Sequence, residues 1–184
     1  MSNLKLKSNQ GFSLVELLVS IAILVIVSGL VFFNQSGFNN NVLLENLTYE
    51  VSLTIRQAQS YGLQSKESNS GDFEAGFGVY FDLSSNDNMI LYADNNKNYI
   101  YNSGSDTIID TLKMKNSNII ERLCVGSPCV DTNVLDISFV RPNPTAYINT
   151  SIITNEDIAE IYIKSAQLQE RRIVVNKIGQ ISIE

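Results

Sequence analysis

The chain has 184 residues, a formal charge of −6, 44% hydrophobic and 17% charged residues, and no histidine. That length allows one domain with a real core and leaves little room for a second. The acidic balance disfavours general nucleic-acid binding, and the lack of histidine removes the commonest general base and metal ligand, so neither an enzyme nor a cofactor site is expected.

The run from Phe12 to Phe33, FSLVELLVSIAILVIVSGLVFF, is 22 residues long and holds one charge, Glu16. As a helix rising about 1.5 Å per residue it reaches roughly 33 Å, enough to cross a bilayer core. Lys5 and Lys7 precede the run, and the next basic residue is Arg56. This asymmetry predicts a cytoplasmic N-terminus, with everything after residue 34 outside. A secretory signal would instead carry a small-residue cleavage site behind the apolar stretch. Asn34-Gln35-Ser36-Gly37 lacks the Ala-x-Ala pattern.

A carboxylate inside such a run is costly unless it is neutralised or paired, so Glu16 marks a functional position. If the chain began at Phe12, the nearest cation in the same chain would be the Phe12 amine, one helical turn away. Between chains, the amine of one subunit can meet the Glu16 of a neighbour. The plainer reading is an acid that snorkels to the headgroups.

Gly11-Phe12-Ser13-Leu14-Val15-Glu16-Leu17-Leu18-Val19 resembles the class III signal of type IV pilins and of type II secretion pseudopilins. The resemblance implies cleavage between Gly11 and Phe12 by a membrane-embedded prepilin peptidase, then N-methylation of Phe12. It also implies that the leader with Lys5 and Lys7 is discarded. Glu16 would then set axial register as the helix packs among other pilin or pseudopilin subunits.

Behind the apolar run, Asn34, Gln35, Ser36, Gly37 and Asn39 to Asn41 are weak helix formers, which predicts a kink or a loosened stretch. Helicity is expected to resume from Val42 to about Ser65, where Leu44, Leu47, Val51, Ile55, Ala58 and Gly62 recur every three or four residues. That stripe suits packing beneath a head better than a coiled coil, which needs more sustained heptads. Ser65 to Gly76 is polar and ends the helix.

Alternation then predicts strands at Phe77 to Leu83, Met89 to Ala93 and Val134 to Val140, the last with Leu135, Ile137 and Phe139 inward against Asp136 and Ser138. Further strands are expected at Glu160 to Lys164, Arg172 to Val175 and Gln180 to Ile183. The fold class is α+β, pilin-like, with a long N-terminal helix packed under a β-rich head. The expected boundaries are a leader at 1–11, a transmembrane and assembly helix at 12–33, its extension at 34–65 and the head at 66–184.

The head's order, especially Phe139-Val140-Arg141-Pro142-Asn143 and Arg172 to Ile181, resembles the H-type minor pseudopilins (GspH/FimT-like). It departs at Pro144, where that family often has glycine. DNA-binding relatives carry Gly-Arg-x-Arg near the C-terminus, and Gly179-Gln180-Ile181-Ser182 lacks both arginines, so no nucleic-acid partner is expected.

Cys124 and Cys129 enclose a turn-forming Val-Gly-Ser-Pro. On the exported side they are expected to form a disulfide, since a zinc site would need two more soft ligands. Asp94-Asn95-Asn96-Lys97-Asn98 has the alternating oxygens of a calcium loop, but Tyr99 and Ser105 stand where glycine and glutamate belong, so a solvated hairpin turn is the expectation. Lys164, Arg171, Arg172 and Lys177 read as solvated positions, with pairing to Glu156, Asp157 and Glu160 of another subunit as the second reading.

The function expected is that of a structural subunit, a minor pilin or pseudopilin. The alternatives are a major pilin and an uncleaved, membrane-tethered binding domain.

Overall fold

The computed structural model describes residues 11–64 and 75–184. Lys5 and Lys7, and the polar stretch 65–74, lie outside the described residues. The chain divides into two compact units, Met1–Asn39 and Asn40–Glu184.

Helix α1 (Leu14–Leu63) starts two residues behind Phe12, and the Ser13 carbonyl accepts the Leu17 amide at 3.1 Å. Helicity does not stop and resume around Asn34 to Asn41, where the sequence predicts a kink or loosened stretch, since α1 runs from Leu14 to Leu63. Each weak former costs at most about 1 kcal/mol relative to alanine. Extending an existing helix also avoids the unfavourable nucleation that a second helix would require.

In the second unit the periodic stripe behaves as its spacing predicts. Leu44, Leu47, Val51, Ile55, Ala58 and Gly62 are all buried. Thr48 and Ser52 share the buried face, and their hydroxyls donate to the carbonyls of Leu44 (2.8 Å) and Tyr49 (2.9 Å). Those local bonds satisfy both buried hydroxyls.

Ten strands follow: β1 (Gly76–Asp82), β2 (Asn88–Asp94), β3 (Thr107–Lys113), β4 (Ile119–Val125), β5 (Val130–Thr132), β6 (Val134–Phe139), β7 (Ala146–Asn149), β8 (Ile158–Lys164), β9 (Glu170–Asn176) and β10 (Ile181–Ile183). They form two antiparallel five-stranded sheets, ordered β3-β2-β1-β6-β7 and β10-β9-β8-β4-β5. The stripe of α1 shares one core with both sheets, including Val79, Phe81, Leu91, Leu135 and Ile137 from the first and Leu123, Ile161, Ile163, Ile173 and Val175 from the second. Between β1 and β2 the chain makes a short 3₁₀ turn, Leu83–Ser85. The Ser84 hydroxyl and amide donate to Asp82 and hold its carboxyl below the usual range.

Two expectations about β6 need correction. Leu135, Ile137 and Phe139 do face the core, but Asp136 and Ser138 on the opposite face are also buried. The cause is the β2–β3 connection, residues 95–106, which folds back over the outer face of the first sheet. Its Tyr101 amide reaches Asp136 at 2.8 Å, and its Tyr99 carbonyl accepts from Asn149 Nδ2 at 3.0 Å. Asp94, read from sequence as part of a solvated turn, is likewise fully buried.

Candidate functional site

The first unit presents a helix that is apolar all round. Leu14–Val31 has a mean hydropathy of 2.8 over 18 residues, and none of that span is buried. Leu14, Leu18, Ile21, Leu24 and Val25 are each more than half exposed. A uniformly apolar helix of this length belongs inside a membrane or among other apolar helices, because water leaves that surface uncovered at high cost.

At the head of this helix the chain is open. Phe12 is 84% exposed and precedes the first helical residue. A Cβ added at Gly11 would meet nothing within 4 Å. The Gly11–Phe12 peptide bond therefore lies ahead of the helix, in uncrowded chain. Glu16 stands in the first turn of α1, where a negative charge complements the partial positive charge of the helix N-terminus. The Ser20 hydroxyl donates to the Glu16 main-chain carbonyl at 2.7 Å.

Gly11, Phe12 and Glu16 thus share one end of one helix. The other positions singled out from sequence lie elsewhere, in the head. Cys124 and Cys129 form a disulfide across the β4–β5 hairpin, with their Cα atoms 5.5 Å apart. Asp131 lies close enough to complete a trio of metal-ligand types, but sulfurs bonded to each other are not thiolates, and the trio offers one carboxylate. Closing so short a loop restricts the unfolded chain modestly, by about 2 kcal/mol. The double substitution Cys124→Ala with Cys129→Ala is therefore expected to lower the head's unfolding free energy by about 2 kcal/mol in a urea titration.

The basic cluster is paired within the chain. Lys164 Nζ meets Glu121 at 2.6 Å, Arg172 meets Glu160 at 3.2 Å and also Glu184, and Lys177 meets Asp157 at 3.1 Å. Arg171 donates to the Glu170 carbonyl. Within the chain, Glu160 and Asp157 thus already face cations, at Arg172 and Lys177. Asp94 accepts the amides of Asn98 (3.2 Å) and Tyr99 (2.7 Å), so its two oxygens serve the chain. Sequence reading missed Asp106, Tyr92 and Tyr101, and took Asp136 for a solvent-facing position. The only signal was the density of tyrosine and acidic residues between Tyr80 and Asp106.

Residues 6–32 match the family model described as the prokaryotic N-terminal methylation motif. No curated protein and no solved structure matches the chain. The matched motif is the type IV pilin signal, and it sits on an apolar helix followed by a β-rich head, an architecture that fits a pilin-like fold.

Proposed function

We propose that this protein is a minor subunit, a pilin or pseudopilin, of a type IV filament system, and that a prepilin peptidase matures it by cutting between Gly11 and Phe12. The observation that carries this reading is the methylation motif lying on an unburied apolar helix whose first residues are exposed and open. In this reading Lys5 and Lys7 keep the leader cytoplasmic, and the helix anchors the subunit in the inner membrane with the head outside. On entering a filament, the helix exchanges lipid for the helices of other subunits. Phe12 is the N-methylated first residue. The head's two sheets and the Arg141-Pro142-Asn143 turn support an H-type assignment, and the protein acts as a structural subunit with no chemistry of its own.

The test is the mass of the N-terminal peptide, taken from the membrane fraction of the native host. A terminus at methylated Phe12 is the expected result. An intact Met1 or Ser2 terminus in a host with active prepilin peptidase would overturn the reading in favour of an uncleaved, membrane-tethered domain. Dominance of this chain in sheared filaments would instead make it the major subunit.

A further inference from the structure

The β2–β3 connection is built like a hinged cover. Its two ends are adjacent, because Ala93 pairs with Thr107 across the ladder. Between them, residues 95–106 lie over the outer face of the first sheet and are stitched down by three carboxylates. Asp106 accepts the amides of Asn95 (3.1 Å) and Asn102 (2.6 Å), and Asp94 accepts those of Asn98 and Tyr99. Both of these acids stand at the hinges. Of the three carboxylates Asp136 alone comes from a distant strand, and it grips the middle of the cover through the Tyr101 amide at 2.8 Å, beside the Tyr99 carbonyl, which accepts from Asn149 Nδ2 at 3.0 Å and the Ser138 hydroxyl at 3.5 Å. Beneath the cover, Tyr101 packs against Tyr80 (5.0 Å between centroids) and Tyr92 (5.2 Å), while Tyr99 stacks on Tyr147 at 4.1 Å.

Asp136 is 1% exposed. Its neighbours across the sheet are Tyr80 on β1 and Asn149 on β7. From β2, the Tyr92 hydroxyl donates to it at 3.2 Å and Asp94 acts on it through space. The cover contributes Tyr101 and Asp106. The charges among these neighbours are carboxylates, so each opposes ionisation of Asp136, and burial opposes it more strongly still. Desolvation first, then Asp106 and Asp94, push its carboxyl up to about 7 against two hydrogen bonds that act the other way. A neutral carboxyl still offers its carbonyl oxygen to the Tyr101 amide. An ionised one must be hydrated, and water reaches it only if the cover lifts.

We propose that residues 95–106 form a pH-operated flap, closed over Tyr80 and Tyr92 while the Asp136 carboxyl carries its proton and released when that proton is lost. The sign follows from linkage. The closed state binds the proton more tightly than the open state, where Asp136 is solvated and ordinary. Closure is therefore favoured at acid pH and weakens as pH rises towards neutrality, with opening levelling off above pH 7. The device is independent of the membrane anchor and of the filament assignment.

The test is amide hydrogen exchange on the full chain in detergent, at pH 5 and pH 8, corrected for intrinsic exchange rates. Protection at Tyr101 and Asn102 is expected to fall by about tenfold or more across that range, with the core amides of β8 unchanged. In Asp136→Asn the flap protection should not depend on pH. Equal protection at both pH values in the wild type, or the same pH dependence in Asp136→Asn, would overturn the proposal. Should that variant fail to fold, the wild-type Asp136 carboxyl carbon can be titrated by NMR. A midpoint shared with flap exchange supports the flap, and a midpoint below pH 5 overturns it.

Discussion

Gly62→Ala is expected to destabilise the head by about 2–3 kcal/mol, although alanine is the better helix former by about 1 kcal/mol. Gly62 lies in the last turns of α1, where the helix crosses the end of β6. A Cβ there would sit 2.3 Å from the Phe139 carbonyl oxygen, 2.8 Å from its carbonyl carbon and 2.9 Å from its Cβ. These are backbone atoms or atoms fixed to backbone, and no rotamer change removes them. Phe139 is itself held on both sides, paired to Phe77 and to Ala146. The helix would have to withdraw by about 1 Å, loosening the contacts of Ala58 and Ile55 with the core and the edge-on contact of Tyr61 with Phe77 at 5.6 Å. Gly104→Ala is the control, because a Cβ there meets nothing within 4 Å and no left-handed backbone is involved. Its effect should stay within about 0.5 kcal/mol. A Gly62→Ala protein as stable as wild type in urea would show that helix and sheet separate more easily than their packing implies.

What could be read from the sequence was local, and what escaped it was tertiary. The anchor is legible because hydropathy, a spaced acid and a preceding glycine lie within a few turns of each other. The stripe from Leu44 to Gly62 is legible because one face of that helix is covered and the other is not, as exposed Tyr49 and Leu53 show. Strands β8 and β9 emerged from alternation for the same reason, and β1 from its alternating Phe77, Val79 and Phe81 although its outer face is covered too. β4 did not, because a bulge between Ile120 and Arg122 breaks its period. β7 is only four residues long and follows Pro142 and Pro144, which cannot donate to a ladder. Asp136 and Ser138 were assigned to solvent because alternation assumes that the outer face of a sheet meets water. Here a connection more than thirty residues away in sequence covers it, as the 35-residue separation between Tyr101 and Asp136 records. No period in β6 could have announced that cover.

Glu16→Ala is expected to leave membrane insertion and leader cleavage intact while lowering incorporation into filaments by about tenfold or more. Glu16 lies near the start of the Leu14–Val31 span, and among the described residues its carboxylate has no hydrogen-bond or ion-pair partner. Near the headgroups that costs little, since the side chain can snorkel to water. Among packed apolar helices the same carboxylate has no water, and it becomes expensive unless a cation meets it. The amine of a matured Phe12 is the natural one, one turn away in the same chain or presented by a neighbouring subunit. A charge-assisted hydrogen bond of this kind contributes about 1.5–3 kcal/mol, which is a factor of ten or more in an assembly equilibrium. Glu16→Gln keeps shape and removes charge, so it should fail like alanine if attraction to the amine matters. Glu16→Asp should recover part of the loss. The measurement is the ratio of this subunit in sheared filaments to that in the membrane fraction, by quantitative immunoblot. Wild-type incorporation of Glu16→Ala would mean that Glu16 snorkels in the filament as well, and that register comes from the apolar surface of the helix alone.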